Sequence, residues 1–92
     1  MKQTDVEKML IEIVSDLQKS SGREVVKVTP KTRPFVDMPD FDSLNGVEAT
    51  VDILDKLGLD LSFNNVFAEN DKALSISEAA ARLMRSMVVE EL

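Results

Sequence analysis

The chain has 92 residues, 17 acidic against 11 basic side chains, a net charge of −6, and neither cysteine nor histidine. That length makes one domain, residues 1–92, with a core of modest size. Without Cys or His there is no zinc cluster, no thiol nucleophile and no imidazole base for a serine hydrolase, so any thiol chemistry must be supplied from outside the sequence.

The charge is uneven. Through Arg33 there are 7 basic and 5 acidic residues; from Pro34 onward there are 4 basic and 12 acidic. An acidic second half disfavours nucleic acid, which needs a basic footprint. It suits docking onto basic patches of other proteins, although an acidic surface also serves solubility alone. No apolar run is long enough to span a membrane, and Met1–Asp5 lacks the apolar stretch of a signal peptide. The expectation is a soluble, cytoplasmic, monomeric protein.

In chain order, the first element is a helix. Thr4 and Glu7 have the spacing of a capping box, and Val6, Leu10, Ile13, Val14 and Leu17 repeat at helical spacing. Ser20-Ser21-Gly22 should end it. A connection from about Gly22 to Asp42 follows, well beyond ordinary loop length, with Pro30, Pro34 and Pro39 excluding a continuous helix. Val25, Val26 and Val28 have no second strand to pair with. They are read, with Phe35, Val36, Met38 and Phe41, as anchors pinning a long loop to a helical core.

The second main helix should run from about Ser43 to Leu57 and stop near Gly58. Its polar side chains (Asn45, Glu48, Asp52, Asp55 and Lys56) occupy an arc of roughly 100°. Leu44, Val47, Val51 and Leu54 flank that arc, and Ala49, Ile53 and Leu57 lie toward the other side. The apolar arc, about 200° wide, exceeds what a small helical core can bury, so part of it should face a partner or ligand. Ser62–Asn70, carrying Phe63 and Phe67, suits a short helix or turn. Ser75-Ile76-Ser77-Glu78 is a second capping box, opening a last helix through Ala79, Ala80, Leu83, Met84, Met87 and Val88. Met84 and Met87 read as core filler and Glu90-Glu91 as solvated surface. The fold class expected is all-α: a small four-helix bundle of three main helices and one short helix, with a long first loop.

Asp42-Ser43-Leu44 is the most informative stretch. It places a hydroxyl at a helix start, where unpaired N–H groups and the positive end of the macrodipole favour an attached phosphate. Ser and Asp are also the commonest helix caps, so the tripeptide alone fits a plain cap. A serine nucleophile would need Lys or a carboxylate as base, and no such motif is present.

In context, the chain resembles the acyl carrier protein family, from about Val6 to Met84. Phe35-Val36-Asp37-Met38-Pro39-Asp40-Phe41-Asp42-Ser43-Leu44 looks like the family's F-x-x-D-L-x-x-D-S-L approach to its attachment serine. Val47-Glu48 matches its V-E pair, Leu57 and Leu61 fall near its core positions, and Ser75–Ala80 looks like the opening of its final helix. The resemblance implies that Ser43 takes a covalent 4′-phosphopantetheine arm from coenzyme A, attached by a phosphopantetheinyl transferase, with Asp42 assisting that Mg²⁺-dependent modification. It implies that Leu44, Val47, Val51 and Glu48 contact the transferase and the acyl-handling synthases and transferases. Ala49, Ile53 and Leu57 would line an interior able to shelter the acyl chain. The protein would carry acyl groups as thioesters and catalyse nothing itself, in fatty acid synthesis or a specialised acyl or polyketide pathway. Asn45, where many members carry an acid, Gly46, and Leu54, at an often acidic position, point to a specialised carrier. The alternative is an unmodified carrier-like adaptor that only binds proteins.

Overall fold

The computed structural model describes residues 2–24, 26–60 and 64–91, with side chains from 88 onward left aside. Among them are four helices, α1 (Gln3–Ser20), α2 (Pro34–Asp37), α3 (Ser43–Leu57) and α4 (Ile76–Glu91), and two short strands, β1 (Ala68–Glu69) and β2 (Lys72–Ala73). The described residues are mostly helical, as expected, and the two short strands are an addition the all-α expectation did not include. They form an antiparallel hairpin, Ala68 opposite Ala73 and Glu69 opposite Lys72. Asn70 and Asp71 turn it with φ of 51° and 64°. Two successive left-handed residues give the tight turn that matches strand twist, and Asn and Asp tolerate that region best after glycine.

Of the two alternatives for 62–70, a short helix or a turn, the described residues take the turn. Residues 61–63, including Leu61 and Phe63, lie outside the described set, and 64–70 form bends, turns and β1 rather than a helix. The short helix lies instead in the long loop, where Pro34 takes the first helical position at no hydrogen-bond cost. The start of α1 differs as well. Lys2 is the cap position and its backbone N–H donates to Asp5 Oδ2 at 2.9 Å, so Thr4 sits inside the first turn.

The core is formed where α1 packs on both α3 and α4. Val6, Leu10, Ile13 and Val14 meet Ala49 and Ile53 of α3 and Ile76, Ala79, Ala80 and Leu83 of α4. Leu57, Met84 and Met87 pack at its edge. The long loop is pinned as its apolar content suggested. Met38 and Phe41 are buried, and Val26, Val28 and Phe35 pack against the core. Val25 lies outside the described residues. Val36 is corrected: it is 68% exposed and anchors nothing.

Aromatic rings tie the loop to the segment before β1. Phe41 meets Phe35 and Phe67 edge-on, with centroids 5.6 and 6.1 Å apart. Such pairs add about 0.5–1.5 kcal/mol each beyond their buried area. The buried Gln18 holds the loop from the other side, its Nε2 donating to Pro39 O at 2.8 Å and Glu24 O at 3.4 Å. Its Oε1 has no partner, a cost of about 1–3 kcal/mol.

The loop's middle closes the start of α4. Ile76 N–H donates to Thr32 O at 2.9 Å and Ser77 N–H to Pro30 O at 2.8 Å. Arg33 then bridges the hairpin and α4, donating to Ala73 O at 2.8 Å and Glu78 Oε1 at 2.6 Å. No helix among the described residues is long and apolar enough to cross a membrane.

Candidate functional site

The first turn of α3 is set by its own sequence. Asp42 is the N-cap, extended at φ −108° and ψ −179°, and its Oδ1 accepts from Asn45 N–H at 3.0 Å. Asn45 answers through Oδ1, which accepts from Asp42 N–H at 3.2 Å. This reciprocal pair is a capping box built from Asp and Asn, and it fixes where Ser43, the first helical residue, sits. The helix ends where expected. Gly58 takes φ +66°, and Leu59 N–H reaches back to Leu54 O at 2.9 Å.

Ser43 is exposed, as are Asp42 and Leu44. No described residue accepts a hydrogen bond from the amides of Ser43 or Leu44. The helix start therefore offers two outward donors and the positive end of its dipole beside an accessible hydroxyl.

An apolar stripe runs down α3 from this point. Leu44 is 64% exposed, Val47 41% and Val51 61%. Their spacing of three and four residues puts them on one face. Glu48 is exposed beside the stripe. Ala49 and Ile53 are fully buried on the opposite side, so the over-wide apolar arc divides into a core face and a bare one.

Asn45 is corrected. It was placed in the polar, outward arc, yet it is 6% exposed and also accepts a hydrogen bond from Arg23. Its amide closes the cap inward, which an acidic residue could do only by burying a charge.

Gly46 has a packing reason. A Cβ there would come within 2.7 Å of Phe35 Cζ and would also strike the Asn65 amide. Asn65 Nδ2 reaches Ser43 O at 3.4 Å, and Asn65 Oδ1 accepts from Phe67 N–H at 3.1 Å. One turn on, Thr50 donates to Gly46 O at 2.7 Å and accepts from Val66 N–H at 2.8 Å. Residues 65–67 are thus stitched along the inner side of α3.

Arg23 and Asn65 are contributors to this region that sequence reasoning missed. Gly46 was a usable signal of close approach at that turn; nothing in the sequence pointed to Arg23. Among the described residues no group of three or more acidic side chains could hold a metal ion.

What the fold and site define is a small, mostly helical domain that presents a serine at an open helix start beside a bare apolar stripe. No protein-family model, curated protein or solved structure matches the chain.

Proposed function

We propose that the chain is an acyl carrier protein, a cytoplasmic, monomeric four-helix-bundle carrier modified on Ser43 with 4′-phosphopantetheine. The observation that supports this best is the exposed Ser43 at the first position of α3, next to two amides that meet no partner among the described residues. These residues fit the group. A phosphodiester on Ser43 Oγ lies within reach of the helix's positive end, a favourable placement of about 0.3–1 kcal/mol at an exposed site. The bound arm supplies a terminal thiol, which neither the composition nor any side chain provides.

The chain's own residues do the rest. Asp42 and Asn45 hold the first turn so that the hydroxyl faces solvent. Leu44, Val47 and Val51 offer a shallow apolar contact to a transferase or an acyl-handling enzyme, and Glu48 adds a charge that a basic partner would meet. Exposed charges steer encounter and leave rapidly, as a carrier visiting several enzymes requires. Tethering the cargo raises its effective concentration at each enzyme without new contacts.

The experiment is incubation with coenzyme A, Mg²⁺ and a broad-specificity phosphopantetheinyl transferase, read by intact mass. One arm should be added to the wild type and none to Ser43→Ala, whose helical circular dichroism should be unchanged. Addition to the variant would place the site elsewhere. No addition to the wild type with several transferases would leave the adaptor reading, for which the bare stripe would still serve as a protein contact.

A further inference from the structure

The end of α1 holds the chain on both sides of Ser43. Gly22 takes φ +69°, which lets Arg23 N–H reach back to Gln18 O at 3.0 Å and Gly22 N–H to Lys19 O at 3.1 Å. These are the paired bonds of a glycine-terminated helix. Gln18 Nε2 also donates to Glu24 O, so the backbone of Arg23 and Glu24 is tied to α1 at two points. From that fixed base the half-buried Arg23 side chain crosses to α3, where Nη1 donates to Asn45 Oδ1. The Gln18 amide meanwhile holds Pro39 O, just before Asp42.

Asn45 Oδ1 thus receives two donors, Arg23 Nη1 and Asp42 N–H. The Asp42 bond, at 3.2 Å, is at the long end of the ordinary range, whereas the Arg23 bond is charge-assisted and the stronger of the two. With both donors aimed at it, the buried amide has one workable orientation, since turned over it would set its own NH₂ against them. That orientation fixes the Asp42–Asn45 cap, and the cap fixes Ser43. We propose that Arg23 is a positioning residue for arm transfer: by locking the Asn45 amide it presents the Ser43 hydroxyl in the attacking orientation. This rests on the carrier reading of that serine. In the transfer, Ser43 Oγ bonds to the phosphorus that bears pantetheine, and the pyrophosphate P–O bond of coenzyme A breaks to release adenosine bisphosphate. The hydroxyl proton passes to a base of the transferase. Asn45 sits about 100–160° round α3 from Leu44, Val47 and Val51, so Arg23 acts on the attacking oxygen and not on docking.

The test is the steady-state kinetics of arm transfer by one phosphopantetheinyl transferase at saturating coenzyme A and Mg²⁺, with the full chain as the varied substrate. Arg23→Met keeps the apolar stem and loses the donors. It should lower kcat about tenfold and leave KM within about twofold, because misplacing the nucleophile costs rate while the docking stripe is untouched. Arg23→Lys retains a charged donor and should restore most of the rate. Hydrogen exchange of the unmodified chain should follow the same order. The Asp42 amide, which shares the acceptor, should exchange faster in Arg23→Met and recover in Arg23→Lys, with Ile76 and Ser77 unchanged. If Arg23→Met loses helical circular dichroism, Arg23→Gln, too short to reach Asn45, takes its place. Wild-type kcat in the variant, a rise in KM alone, no recovery in Arg23→Lys or unchanged Asp42 exchange would overturn the inference and leave the carrier reading standing. A wild type that accepts no arm would remove both.

Discussion

The starts of α3 and α4 carry the same kind of local signal and end up in opposite states. Each has a reciprocal cap: Asp42 with Asn45, and Ser75 with Glu78, where Ser75 N–H donates to Glu78 Oε1 at 2.9 Å and Glu78 N–H to Ser75 Oγ at 3.1 Å. At α4 the next amides are also taken, by the carbonyls of Thr32 and Pro30, and Arg33 seals the turn against Glu78. At α3 the corresponding amides of Ser43 and Leu44 meet no described residue. The lesson is that a capping box builds a helix start but does not decide whether that start is available. A segment docked across it decides, and the Pro30 and Thr32 carbonyls of the long first loop dock on the α4 start.

Hydrogen exchange should sharpen this contrast most. The amides of Ser43 and Leu44 should exchange near their intrinsic rates. Those of Ile76, Ser77 and Glu78 should be slowed by about a hundredfold or more, since a satisfied amide exchanges only after local opening. Similar rates at the two ends would remove the distinction between an open and a closed start.

A smaller effect is expected from Gly46→Leu. The new side chain would drive into Phe35 and the Asn65 amide, an overpacking cost of about 1–3 kcal/mol in a urea or thermal melt. The damage should appear at residues 64–67 and leave the Ser75–Glu78 cap intact. A variant as stable as the wild type would mean that Asn65 can retreat without loss.

The smallest effect is the pH dependence of the closed end. The Ser75 backbone N–H first, and the Arg33 guanidinium second, hold the Glu78 carboxyl below the usual glutamate range. A depressed folded-state pKa contributes stability that is present above the unfolded value and is lost as pH falls through the folded value. Glu78→Gln should therefore be less stable than the wild type at neutral pH. The difference should shrink as pH falls through the acidic range, and parallel denaturation curves across that range would measure it. A gap independent of pH would assign the cost to lost hydrogen-bond geometry rather than charge.

Legibility in the sequence followed the range of the physics. Helical periodicity, the Ser75–Glu78 box and the Gly58 stop are local, and they place α1, α3 and α4 with a small error only at the start of α1. The division of α3 into a core face and a bare stripe was also legible, because the apolar arc was too wide for one core. What could not be read was which long-range contacts would form. Asn45 looked like an exposed amide and is a buried cap with Arg23 on it, a contact across 22 residues. Val36 looked like an anchor and is bare, because α2 turns only its neighbours Pro34 and Phe35 toward the interior. The Asn70-Asp71 turn contains no glycine, so the hairpin lacked its strongest sequence cue.

The sequence by itself determined that Ser43 stands at the first position of a helix, since Asp42, the α3 periodicity and Gly58 are short-range constraints acting within the segment. Only the tertiary structure decided that this helix start would stay open and the other be closed. Gln18 and the phenylalanine contacts pin the long loop so that its carbonyls at 30 and 32 fall over α4 rather than α3. Hydrogen bonds between segments so far apart depend on how the whole core packs, and no local pattern encodes that choice.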